Sequence, residues 1–180
     1  MTFTRDDLAE VAAQMAKCRD ETLYGRLQRI RIGIWQMEVM AQKYLPDLAN
    51  DRAINDQDKE VEGAMDCVDN ASNTTTYLRI LHDLGKIPGW TLLAPEVRER
   101  FSLEAVHWTA VVADQATGAH WTVDSWFRPN GHLPLVEPLA AWLESKKAWE
   151  PPYETLNSSP PQVEELCRNG APAQVSAALR

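Results

Sequence analysis

No stretch of this chain approaches the ~20 consecutive apolar residues that a membrane-spanning helix needs, so no membrane partner is expected. Positive charge is scarce as well: 18 Lys and Arg stand against 26 Asp and Glu, a formal charge of −8. A nucleic-acid partner needs clustered Lys and Arg to displace counterions from phosphates, so that class is not expected either. Basic residues do fall close together at Arg26, Arg29 and Arg31, but Arg26, Arg29 and their polar neighbours read as the wet side of a helix.

Cysteine is sparse and odd in number, three in all, which excludes a complete set of intramolecular disulfides. Met1 to Asp20 carries four acidic residues and lacks an apolar run of secretory-leader length. The expectation is a cytoplasmic, reduced setting, where a cysteine is free to be chemical. Paired Cys or His at metal-ligand spacing is missing, so neither a metal nor another cofactor is expected. Phenylalanine is rare at three while tryptophan reaches seven, mostly between Trp90 and Trp149. That half of the chain needs a bulky aromatic interior or a binding groove.

What is present suits one domain over residues 1–150 and a Pro/Ser-rich irregular tail over 151–180. A chain of this length buries roughly 70% of the surface its unfolded form exposes, so it needs no staple. Thr4 followed by Asp7 resembles a helix cap, and Leu8, Val11, Ala12, Met15 and Cys18 recur at helical spacing. A first helix is expected over Arg5 to Arg19 and a second over Glu21 to Tyr44, ended by Pro46. The inward stripe of the second is Leu23, Leu27, Ile30, Ile34, Met37 and Tyr44. Asp47 to Glu62 reads as a surface connection. A third helix runs from Cys67 to about Leu84, closed by Gly85; its polar positions are small rather than charged, so it is expected to be central.

The pattern then changes to period two. Strands are expected at Trp90 to Leu93, within Phe101 to Asp114, and at Ala119 to Phe127, with Gln115-Ala116-Thr117-Gly118 as a hairpin connection. Pro138 begins a last helix whose Leu139 and Leu143 face inward.

Cys67 opens the third helix, where backbone N–H groups and the helix dipole favour an anion, and the thiolate is the nucleophilic form of cysteine. Cys18 and Cys167 read as structural. His107 and Asp124 lie on adjacent strands of the hairpin. With the loop taken as Asp114 to Thr117 they face each other directly, with Cβ atoms about 4.5–5.5 Å apart. A carboxylate so placed holds an imidazole in one tautomer, and that imidazole takes the thiol proton. His120 competes for the role of base, while His82 and His132 are expected to face solvent. Trp108, Trp121 and Trp126 are candidates for a substrate groove, although as core residues they would look the same.

Met65-Asp66-Cys67-Val68-Asp69-Asn70-Ala71, with Leu84-Gly85-Lys86-Ile87-Pro88 ending the helix, resembles the nucleophile helix of the transglutaminase-like superfamily. That helix begins Gly-x-Cys and ends Leu-Gly-Ile-Pro. His107-Trp108 and Asp124 resemble the strands that supply the other members of its triad. The similarity covers about Gly63 to Trp126. Met65 replaces the usual Gly, and Lys86 interrupts the ending.

The resemblance implies an α+β, papain-like/transglutaminase-core fold, with the nucleophile helix packed on a small antiparallel sheet. Cys67 would be nucleophile, His107 base and Asp124 orienting acid, with Gln57 an oxyanion donor by residue type alone. The activity implied is thiol-dependent acyl transfer or amide hydrolysis on a peptide or protein substrate, or on a small amine and acyl donor. A peptide-binding scaffold without turnover is the alternative.

Overall fold

The computed structural model describes residues 1–55, 60–98, 106–144 and 163–168. Helix α1 (Arg5–Ala16) starts at a reciprocal capping box: Thr4 N–H donates to Asp7 at 2.8 Å and Asp7 N–H to the Thr4 hydroxyl at 3.2 Å. Val11 and Met15 are its buried stripe, packed against α2 (Leu23–Tyr44). Thr22 caps α2, and Pro46 opens a short 3-10 turn, Pro46–Asn50, beyond its end.

Helix α2 lies at the centre of the molecule, and its expected wet face is absent. The Arg26 guanidinium donates to Asp114 at 2.8 Å, and Arg29 bonds Glu21. Arg31 is 3% exposed and donates to the Pro134 carbonyl at 2.8 Å. Gln28, Gln36 and Glu38 are buried beside it. Because α1, α3, the C-terminal helix and the sheet all pack on α2, its polar side chains must find protein partners in place of water. Tyr44, expected in the inward stripe, is exposed at the end of the helix and bonded to Asp7.

The connection after α2 is not purely a surface one. Asp51 and Asn55 turn inward and are buried. Gly63 has φ +86°, and a Cβ there would overlap the Asp47 carbonyl, so only glycine lets the loop close back on the 3-10 turn. Helix α3 (Cys67–Asp83) follows, its Asp66 cap accepting from Val68 N–H at 2.8 Å and Asp69 N–H at 3.0 Å. Asn70, Ala71, Thr74, Leu78 and Leu81 are buried, which agrees with a central position.

Strands β1 (Trp90–Leu92), β2 (Glu96–Arg98), β3 (His107–Asp114), β4 (His120–Asp124) and β5 (Leu135–Pro138) form an antiparallel sheet in the order β1-β3-β4-β5. β2 pairs with the start of β3 and β1 with its end, while β4 pairs along the other edge. The alternating pattern located β1, β3 and β4 but not the short β2 and β5. Residues 101–105, the start of the expected second strand, lie outside the described residues.

Helix α4 (Leu139–Glu144) buries Trp142 completely and leaves Leu143 exposed. Its phase is thus one residue away from the expected Leu139–Leu143 stripe, because the larger indole takes the inward position. Helix α5 (Val163–Arg168) falls within the tail expected to be irregular: Val163 joins the core, and Cys167 is disulfide-bonded to Cys18 with their Cα atoms 5.5 Å apart. Both cysteines are structural, as expected, but the bond conflicts with a reduced setting, since disulfides persist in oxidising compartments.

The fold is therefore α+β, with helices against a small antiparallel sheet and the main core between them. Among the described residues no helix is long and apolar enough to cross a membrane. A second, smaller cluster gathers Cys67, Trp126, Phe127 and Leu135, with Ile54 and Trp108 against it.

Candidate functional site

Cys67 is the first residue of α3, directly behind the Asp66 cap, and is 7% exposed. Asp66 engages the N–H groups of Val68 and Asp69 through its carboxylate and that of Asn70 through its carbonyl. Among the described residues no acceptor engages the Cys67 N–H, which leaves one backbone donor of the first turn beside the sulfur.

His107 opens β3 and is 1% exposed. Its Nε2 lies 2.6 Å from Oδ2 of Asp124, the last residue of β4. The two are not directly opposed as expected. Pairing runs Ala110 with Val123 and Ala113 with His120, which sets Thr109 across from Asp124. The physical reason is the turn: Asp114 N–H donates to the Ala119 carbonyl, so the loop is Gln115–Gly118 rather than Asp114–Thr117. The resulting offset is an even number of residues, so both side chains keep the same face of the sheet.

An aromatic enclosure holds the ring. The centroids of Trp126, Phe127 and Trp142 lie 4.6, 5.0 and 5.7 Å from that of His107. The Arg98 guanidinium sits 4.5 Å from the Trp142 indole centroid and donates to the Trp142 carbonyl at 2.7 Å. With Nε2 committed to Asp124, Nδ1 remains for the thiol and has no hydrogen-bond partner among the described residues. The Sγ of Cys67 makes a long contact, 3.8 Å, to the Val106 carbonyl, while lying near enough to the imidazole to favour its protonated form. Burial works against a charged ring here. The Asp124 charge and hydrogen bond, then the thiol, outweigh it and lift the His107 pKa to about 9.

Cys67, His107 and Asp124 are thus brought together, with Trp126 and Trp108 beside them; Trp121 and His120 lie elsewhere. Gln57 lies outside the described residues. Trp121 is 1% exposed in the main core rather than on a groove. Trp126 is a buried wall of the His107 enclosure, and Trp108 is half-buried against the same cluster. His120 is exposed across from Ala113, near the turn end of the hairpin, and takes no part. His82 is exposed, whereas His132 is half-buried with its pKa lowered by burial. Phe127, Trp142 and Arg98 had no signal in local periodicity that pointed to the site; they reach it through β2, α4 and the chain after β4.

Among the described residues no group of three or more His, Cys, Asp or Glu is placed to hold a metal ion. An open groove of about 520 Å³ lies elsewhere, between Phe3, Leu8, Leu45, Leu48, Tyr77 and Ile80, and includes no member of the triad. No protein-family model matches the chain, and no curated protein and no solved structure matches it.

Proposed function

We propose that this chain is a thiol-dependent acyl-transfer or amide-hydrolysis enzyme of papain-like, transglutaminase-type arrangement. One observation carries the reading: a buried imidazole whose Nε2 is pinned by Asp124, whose Nδ1 has no other partner among the described residues, and which interacts with a thiol at a helix N-terminus. The Cys67 thiolate attacks the carbonyl carbon of an amide or ester, and the Cys67 N–H donates to the oxyanion that forms. The protonated His107 gives its proton to the departing amine or alcohol as the carbon–heteroatom bond breaks. Neutral His107 then takes a proton from water or a second amine, which attacks the thioester and releases Cys67. Asp124 holds the ring in one tautomer and stabilises its charged form throughout.

The test is intact-protein mass spectrometry after exposure to an electrophilic acyl probe. A single acyl adduct on Cys67, absent in Cys67→Ala and lost with time, is the expected result. A persistent lack of adduct in folded protein is the result that overturns the reading.

A second reading keeps the fold without turnover, as a peptide-binding scaffold. The burial of both Cys67 and His107 favours it, since a substrate carbonyl must reach the sulfur. Peptide binding unaffected by Cys67→Ala, with no thiol-dependent acylation, distinguishes it.

A further inference from the structure

The sulfur and the imidazole come from different parts of the fold: α3 carries Cys67, while the β3–β4 hairpin carries His107 and Asp124. Apolar packing between a helix and a sheet is not directional, so the alignment of a thiol with one ring nitrogen calls for something that is. The residue immediately after Asp124 supplies it. The Ser125 hydroxyl donates to Asn70 Oδ1 at 3.3 Å and lies 2.7 Å from the Thr74 hydroxyl, both on α3. All three residues are 1–4% exposed.

The donor directions follow from what each group has left. Asn70 Nδ2 donates to the carbonyls of Met65 and Asp66, both at 3.2 Å, which fixes its amide orientation and turns Oδ1 toward Ser125. Ser125 has one proton, spent on Asn70, so Thr74 donates to Ser125. The Met65 N–H in turn donates to buried Asp51 at 3.0 Å, whose carboxylate also accepts from Asn55 at 2.6 Å. An unbroken set of hydrogen bonds therefore runs from the residue beside Asp124 to the two carbonyls that precede Cys67.

We infer that Ser125 is a positioning residue of the triad, its hydroxyl tying the Asp124 end of β4 through Asn70 and Thr74 to the start of the nucleophile helix. The inference rests on the triad reading above and adds a device that sets the distance between sulfur and ring. Ser125 touches none of the reacting atoms. Glu38, wholly buried on α2 and accepting from the Gly131 N–H, is a further neighbour of the Ser125 hydroxyl.

The experiment is the rate of Cys67 alkylation by iodoacetamide as a function of pH in the full chain, with adducts assigned by mass spectrometry and folding checked by thermal melting. Ser125→Ala is expected to slow the reaction at neutral pH by about tenfold, on the scale of small misplacements of catalytic groups. Its pH profile should move from that of wild type toward that of His107→Ala. Ser125→Thr, which keeps the hydroxyl, should restore both to within about twofold. Thr74→Val leaves Ser125 bonded to Asn70 and should shift the profile in the same direction by a smaller amount, so it carries the test if Ser125→Ala does not fold. A folded Ser125→Ala, or failing that Thr74→Val, with a lowered melting temperature but an unmoved profile overturns the positioning role alone. A wild-type Cys67 alkylated no faster at neutral pH than in His107→Ala overturns the triad reading itself, and this inference with it.

Discussion

His107 and Asp124 stand diagonally on neighbouring strands, and the diagonal still closes to 2.6 Å between Nε2 and Oδ2. Direct cross-strand pairs and diagonal pairs on one face are both within reach of long side chains. With Nε2 so engaged, the other ring nitrogen, Nδ1, has no hydrogen-bond partner among the described residues.

Asp124→Asn should lower the His107 pKa from about 9, because burial is then opposed by the thiol alone. The stability consequence has a defined sign. A histidine whose folded pKa is raised contributes stability that is complete below the unfolded value near ~6.5 and is lost as pH rises through about 9. The variant should therefore be less stable than wild type by on the order of 3 kcal/mol at pH ~6, and the gap should close by pH ~10. Urea titrations at the two pH values, with histidine NMR titration, check both parts.

Glu38 makes an opposite demand on pH. Burial raises its carboxyl to about 8, so the folded state holds a proton that the unfolded chain releases near ~4.5. A carboxyl raised in this way costs stability increasingly as pH rises from ~4.5 to about 8. Glu38→Gln keeps an acceptor for the Gly131 N–H and removes the ionisation. The variant should be more stable than wild type at pH ~8, by up to on the order of 3 kcal/mol, and indistinguishable or slightly weaker at pH ~5. Denaturant midpoints across that range decide it.

How much of this was legible in the sequence differs from element to element. The face shared by His107 and Asp124 could be read because side-chain direction alternates along a strand, and an even slip in register leaves it unchanged. The register itself could not, since it depends on whether Asp114 ends the strand or begins the turn. Gly118, at φ +72°, closes the longer strand's four-residue loop. Cys67 at a helix start was visible from Asp66 and the small residues after it. The enclosure around His107 was not, because Phe127, Trp142 and Arg98 come from three different segments. Arg26 and Arg29 were misleading for a related reason: polar residues on a helix read as wet unless their partners, here Asp114 and Glu21, are known. Asp51 and Asn55 hid in the same way, inside a stretch whose composition suggests a loop.

Trp142 is fully buried against both His107 and Arg98, so its removal tests the enclosure. Trp142→Ala should cost about 3–5 kcal/mol of stability, as large-to-small changes of buried indoles do. Trp142→Phe should recover much of that, since it keeps an aromatic face for both neighbours. Thermal and denaturant melts measure the two variants against wild type.

The Cys18–Cys167 bond links residues 149 positions apart and anchors α5 against α2. Reduction, or Cys167→Ser, should lower stability by about 2–4 kcal/mol through the freedom restored to the unfolded chain. Non-reducing intact mass should be lower by two hydrogens than after reduction, with Cys67 alone available to alkylators. Three alkylatable thiols in native, unreduced protein would remove the bond and return the chain to a reduced setting.

In the proposed mechanism the Cys67 sulfur and His107 share one proton, held on the ring. Ultraviolet thiolate absorbance, measured in wild type minus Cys67→Ser while pH is lowered from neutral, reports it most directly. The thiolate signal should persist to lower pH in wild type than in His107→Ala. A signal that disappears over the same pH range in both proteins would contradict the account.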